Sequence, residues 1–317
     1  MRTNTFQFID EEQVRIHVYH WMPEDTVEVR GVVQIAHGMT ETAIRYERFA
    51  EELTAAGYIV YANDHRGHGL TAATEQDLGY VGEDGFTWMV RNMAQLTKMI
   101  REQNGDIPLF LFAHSMGSFL AQQYITEHAS LIDGVILCGS NGPRGSELLA
   151  GVGVTKLIAS MKGSRHRSTF IDKMAFGSFN RKFKPARTQV DWLSRDPKEV
   201  DKYVADPYCG FLSTVGFYRD FFKLLRNIHR PEVMNRIPRQ LPVLLIAGDK
   251  DPVGNYGKGV RKLAELYGQL GLEQVECKLY AGARHELLNE TNRDEITADC
   301  LTWLTKQTKQ ASKLVNK

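Results

Sequence analysis

Phe110-Leu-Phe-Ala-His-Ser-Met-Gly-Ser-Phe-Leu120 sets one serine between a run of large apolar side chains and a stretch of small, helix-compatible ones. Residues 109–113 show no polar alternation, which fits a strand covered on both faces, as in the middle of a parallel sheet. Residues 118–128 carry apolar side chains at helical spacing. Similar strand-like runs lie at 32–36, 58–62, 135–138, 243–247 and 275–280. Helical periodicity appears at 46–56, 86–103 and 258–270 and returns at 291–306. This alternation predicts an α/β fold with a mostly parallel central sheet flanked by helices.

The rhythm lapses between about residue 140 and about residue 239, where basic, aromatic and glycine-containing helical stretches replace buried strands. Residues 1–139 and 240–317 are therefore expected to form one core domain, and residues 140–239 an inserted, mainly helical cap (lid). The 317-residue chain, 43% hydrophobic and 24% charged, is long enough to bury a large core. A formal charge of +1 gives no global pull towards nucleic acid, and no such partner is expected. Residues 1–14 lack the apolar centre of a secretion signal, and no run of about 18 apolar residues occurs, so a cytoplasmic location is expected. Cys138, Cys209, Cys277 and Cys300 are scattered without a C-x-x-C pair and read as reduced packing residues.

Ser115 directly follows one predicted strand and precedes one predicted helix, so Ala113-x-Ser115-x-Gly117 lies in the strand-turn-helix setting of a nucleophile elbow. A turn sharp enough to lift a serine hydroxyl above the sheet brings backbone close, which demands small residues two before and two after it. The hydroxyl becomes an effective nucleophile when an imidazole takes its proton and an acid holds that imidazole in the right tautomer. His285, in Gly282-Ala-Arg-His-Glu286, sits after one predicted strand and before the last helix, at the carboxyl edge of the sheet. Gly248-Asp-Lys-Asp-Pro252 occupies the same edge and offers Asp251, with Asp249 as its rival. An oxyanion hole needs preplaced N–H donors, for which the backbone of Met116 and of Met39, in His37-Gly-Met-Thr-Glu41, are the candidates. His114 and His128 are expected to be structural. His65 and His68 have no carboxylate or cysteine cluster beside them and are expected to hydrogen-bond within their loop, not to bind metal.

Taken in order, these residues resemble the α/β-hydrolase superfamily, and within it the lysophospholipase and monoacylglycerol lipase branch, also called serine aminopeptidase-like. The resemblance is carried by His37-Gly-Met-Thr-Glu41 with Arg45-Tyr46, Asp64-His-Arg-Gly-His-Gly69, His114-Ser-Met-Gly117, and Gly248-Asp-Lys-Asp251 with Ala283-Arg-His285. Asp191-Trp-Leu-Ser-Arg-Asp196, with Asp206-Pro207, is similar to the cap of bacterial lysophospholipases. It implies Ser115 as nucleophile, His285 as base, Asp251 as its orienter, and Met39 and Met116 N–H as oxyanion donors, with no metal or organic cofactor. Ala113 and Ser118 depart from glycines usual in that family.

The expected reaction is two-step acyl transfer on a lipid-like monoester, either a monoacylglycerol or a lysophospholipid. A small soluble ester and a catalytically silent, ligand-binding hydrolase fold are the alternatives. In the cap, Leu148, Leu149, Val152, Val154, Leu157, Ile158 and Met161 could pack on the core, line an acyl pocket or touch a membrane. Between Lys162 and Arg187 eight Lys or Arg face the single acid Asp172, a patch that is either a solvated face or an attractor of anionic phospholipid.

Overall fold

The computed structural model describes residues 1–145 and 147–315. Eight strands form one sheet: β1 (Arg2–Ile9), β2 (Arg15–Met22), β3 (Gly31–Ala36), β4 (Tyr58–Asn63), β5 (Leu109–His114), β6 (Gly134–Cys138), β7 (Val243–Gly248) and β8 (Val275–Tyr280). Their spatial order is β1-β2-β4-β3-β5-β6-β7-β8. From β4 through β8 all neighbours are parallel, while β1 and β2 form an antiparallel pair attached to β4. β3, β5, β6 and β7 are buried along their whole lengths, which explains the absence of polar alternation in their sequences. β1 is an edge strand that buries only Phe8 fully, so its polar RTNTFQFI carries little strand signal, and the apolar-run reading named neither it nor β2.

In chain order, α1 (Glu47–Ala55), α2 (Gly85–Asn104) and α3 (Met116–Glu127) follow β3, β4 and β5. The helices α4 (Glu147–Lys162), α5 (Thr169–Phe176), α6 (Pro197–Ala205), α7 (Val215–Asn227) and α8 (Pro231–Met234) lie between β6 and β7. After β7 comes α9 (Lys258–Gln269), and after β8 comes α10 (Arg293–Val315). Phe49 and Leu53 of α1 and Ile296, Trp303 and Leu304 of α10 bury against one face of the sheet, and α2, α3 and α9 cover the other. That second core layer runs on into the insertion, because Phe217 and Phe221 of α7 pack on Phe86 of α2 and on Phe119 of α3. α4 in turn lies on α7, with Gly151 against the Phe222 ring. No described helix is long and apolar enough to cross a membrane. The carboxyl ends of β3, β5, β7 and β8 bring residues 37–41, Ser115, Asp251 and His285 to one edge of the sheet.

Candidate active site

Ser115 joins β5 to α3 with φ +51° and ψ −118°. A side-chain-bearing residue held at such angles costs roughly 1–3 kcal/mol, so the surroundings must fix it. Its N–H donates to Cys138 O at 2.9 Å, and its carbonyl accepts from Ser118 N–H at 2.8 Å and from Ser118 Oγ at 2.6 Å. Gly117 is required by contact: a Cβ there would collide with the carbonyl oxygens of Ala36 and His37. The helix starts at Met116, two residues before the apolar periodicity, because it begins in the turn that presents Ser115.

Ser115 Oγ lies 2.8 Å from His285 Nε2, and His285 Nδ1 lies 2.9 Å from Asp251 Oδ2. Asp251 is fully buried, and its other oxygen accepts from Val253 N–H at 2.8 Å. With a carboxylate at Nδ1, that nitrogen carries the proton and Nε2 is left to accept from the serine hydroxyl. The rival Asp249 points elsewhere: it accepts from Gly282 N–H at 2.8 Å and so closes the turn before His285. Gly139 makes room for the ring, since a Cβ there would stand 3.1 Å from His285 Cε1.

Residues 37–41 run beside the elbow, and a Cβ on Gly38 would come within 3.2 Å of Ser115 Cβ. Neither Met39 N–H nor Met116 N–H donates to a protein acceptor among the described residues. Glu41 folds back on this loop: one carboxylate oxygen accepts from Gly38 N–H at 2.5 Å and from Tyr46 OH at 2.9 Å, and the other pairs with Arg45 at 2.5 Å. Arg45 also grips Glu286 through two bonds of 2.8 Å. His114 stands 3.3 Å from Glu41, and its ring lies 4.8 Å from that of His285. Glu41, His114 and Glu286 are buried and the Arg45 side chain is only 11% exposed, so the charges depend on one another. Burial opposes ionisation of Glu41, but Arg45 and then His114 hold its carboxyl well below the usual range. Burial likewise works against charge on His114, yet the hydrogen bond and charge of Glu41 raise its pKa. Apart from the motif neighbourhoods of Glu41, Arg45 and His114, nothing in the sequence announces this network, and no local signal assigns Glu286 to it.

The segment between β6 and β7 packs over His285. Trp192 lies with its ring 5.0 Å from the imidazole and contacts Phe179 at 4.9 Å. Glu286 N–H donates to Leu193 O at 2.7 Å, and Arg284 donates to the carbonyls of Asp191 and Ser194. The fully buried Glu290 accepts from Arg195 Nε at 2.7 Å and from Arg284 N–H at 2.8 Å. The stretch 191–196 thus straps the insertion to the loop that carries the histidine.

Among the basic residues of the insertion, Arg165 pairs with Asp77, Arg187 with Asp201, and Lys182 sits 3.4 Å from the centre of the Tyr256 ring. Arg167 donates to the carbonyls of Leu212, Gln76 and Leu78. Half of the predicted patch is therefore committed to internal contacts. Arg181 and Lys184 remain in the lining of an open cavity of about 810 Å³, together with Tyr203 and Cys209.

His65 and His68 pack around His37, with ring centroids 4.3 and 5.2 Å from it. His37 Nδ1 bonds Gly38 O at 2.7 Å and its Nε2 accepts from His65 N–H at 2.9 Å, which commits both nitrogens. No group of three or more His, Cys, Asp or Glu among the described residues is arranged to hold a metal ion.

Residues 27–292 match the family described as serine aminopeptidase, S33. The chain belongs to that family. Over 296 residues it is 28% identical to the monoacylglycerol lipase of Mycolicibacterium smegmatis, spanning 92% of this chain and 93% of that one. It is 27% identical over 273 residues to the monoglyceride lipase of Mus musculus, spanning 86% and 80%. In structure it is similar to a thermostable carboxyl esterase from Bacillus coagulans in complex with glycerol, with a TM-score of 0.90 and 29% identity over 97% of this chain and 99% of that one. The fold is the α/β-hydrolase fold, and this family member is a serine ester hydrolase of the monoacylglycerol lipase-like branch.

Proposed function

We propose that the protein hydrolyses monoacylglycerols, with Ser115 as nucleophile, His285 as general base and acid, and Asp251 as the group that orients and stabilises the imidazolium. The observation that carries this reading is the continuous chain of hydrogen bonds from Ser115 Oγ through His285 to the buried Asp251. In the first step Ser115 Oγ bonds to the ester carbonyl carbon as its proton passes to His285 Nε2. Charge develops on the carbonyl oxygen, where the free N–H groups of Met39 and Met116 would donate. Collapse breaks the bond to the alcohol oxygen, which leaves as glycerol with the proton from His285. Water then repeats the sequence on the acyl-enzyme and releases the fatty acid.

The names of the relatives and the glycerol complex of the Bacillus coagulans esterase support a glycerol ester as substrate. The commitment of Arg165, Arg167, Lys182 and Arg187 to internal contacts leaves less positive charge for a phosphate head group. Arg181 and Lys184 favour a second reading, a lysophospholipid, because they line an open cavity unpaired among the described residues. Residues 140–239 act in this reading as a cap. Leu148 and Val152 of α4 are buried, whereas Leu149, Leu157 and Met161, with Phe170 and Met174 of α5, are exposed beside Lys162 and Lys173. Exposed apolar side chains on these two helices, next to lysines in sequence, fit the surface of a lipid aggregate that supplies the substrate.

The test is fatty-acid release from a monoacylglycerol and a lysophosphatidylcholine of identical acyl chain, with Ser115→Ala protein as the blank. Faster Ser115-dependent release from the monoacylglycerol is expected. Preference for the phospholipid would transfer the assignment to the second reading. Turnover of short synthetic esters alone would overturn both.

A further inference from the structure

Met39 lies between two peptide units that are held from opposite sides. Glu41, within the core, takes the N–H of Gly38. Thr40 is held from the insertion: Tyr203 OH on α6 donates to Thr40 O at 3.0 Å, and Gly210 N–H donates to the same carbonyl at 2.9 Å. Because the phenolic proton is used on that carbonyl, the 2.9 Å contact between the Thr40 hydroxyl and Tyr203 OH has Thr40 as its donor. Thr40 needs this grip. Its φ is +51°, a left-handed conformation that a β-branched residue adopts only when its surroundings impose it.

Tyr203 is itself fixed. It is buried, with the Arg45 guanidinium 5.0 Å from its ring centre, and burial raises its pKa so that the phenol keeps its proton in alkaline solution. The helix that carries it is bound to the core: Asp196 caps α6 through Lys198 N–H and pairs with Arg293 at 2.9 Å, and Glu199 pairs with Arg48 at 3.2 Å. Gly210, at φ +65°, presents its N–H from a turn that a larger residue would strain.

We propose that Tyr203 is a positioning residue for the reaction at Ser115, acting through Thr40 to aim the Met39 N–H at the developing oxyanion. The inserted segment thereby completes a loop that the core leaves strained, and α6 governs the chemical step as well as access. This inference rests on the ester-hydrolase reading of Ser115, with Met39 as an oxyanion donor.

The test uses the full chain and p-nitrophenyl butyrate, a soluble ester that needs no lipid surface. Tyr203→Phe is expected to lower kcat about ten- to a hundredfold, the scale of a misplaced oxyanion donor, with KM within about twofold and an unchanged melting midpoint. Thr40→Gly removes the steric reason for the grip, since glycine accepts positive φ freely. In the Thr40→Gly background, adding Tyr203→Phe is therefore expected to cost less than about threefold in kcat. That comparison also keeps the test independent of how well the single Tyr203→Phe variant folds. An unchanged kcat in Tyr203→Phe, a loss confined to KM, or the same fold-loss in both backgrounds would overturn the inference. Absence of Ser115-dependent turnover in the unaltered protein would instead overturn the hydrolase reading.

Discussion

Asp249 and Asp251 are two residues apart in one loop and do different work, because only Asp251 reaches His285 Nδ1 while Asp249 closes a turn through Gly282 N–H. Asp251→Asn is expected to lower kcat by about 10⁴-fold by favouring the wrong imidazole tautomer. Asp249→Asn is expected to leave kcat within a few-fold and to cost about 1 kcal/mol of stability, read by urea denaturation. A reversed pattern would exchange their roles. Arg45 makes a second test at this scale. Arg45→Leu leaves Glu41 and Glu286 buried without their cation, and an expected loss of about 3–5 kcal/mol would show as a lowered unfolding midpoint. Ser115, His285 and the two candidate acids were legible because each sits in a short motif at a strand end. The Arg45–Glu286 pair was not, because 241 residues separate its partners and no local pattern couples them.

At the scale of elements, the fully buried strands were the easiest to read and the edge was the hardest. β3, β5, β6 and β7 write their burial on both faces into uninterrupted apolar runs, whereas β1 leaves most of its side chains in solvent and reads as a polar segment. The helices between β6 and β7 were legible as a break in the strand rhythm, but their packing was not. One apolar helix, α4, divides into a buried face on α7 and an exposed face that ends in Met161, 73% exposed. Leu157→Glu combined with Met161→Glu is expected to slow turnover of monoacylglycerol presented in vesicles by about tenfold, with p-nitrophenyl butyrate turnover unchanged. Equal loss on both substrates would assign that face to folding rather than to lipid contact.

At the scale of the whole molecule, the buried histidines make stability depend on pH. Burial lowers the pKa of His37 to about 4 and that of His68 to about 3, and pushes His65 well down. Unfolded, each would titrate near 6.5, so below that pH the unfolded chain takes up protons that the folded one refuses. Their contribution is intact above about pH 6.5 and is lost as the pH falls towards 4. Asp64 runs the other way, since burial raises it to about 6 and its contribution is lost as the pH rises through that value; His114, also raised, shares that sign. His37 and His68 each carry roughly 1.5 kcal/mol between pH 6.5 and 5, and with His65 they outweigh the opposing pair. The urea midpoint is expected to be lower at pH 5 than at pH 7, and a midpoint that rises on acidification would contradict this balance.

Reaction with a fluorophosphonate, followed by intact mass and peptide mapping, tests the chemistry most directly. The serine oxygen must bond to phosphorus as fluoride leaves, so the reagent reports an activated hydroxyl without any assumption about the head group. A single adduct on Ser115, absent in Ser115→Ala and slowed in Asp251→Asn, is the predicted result. An unmodified native protein, or an adduct on another residue, would contradict the assignment of Ser115 as the nucleophile.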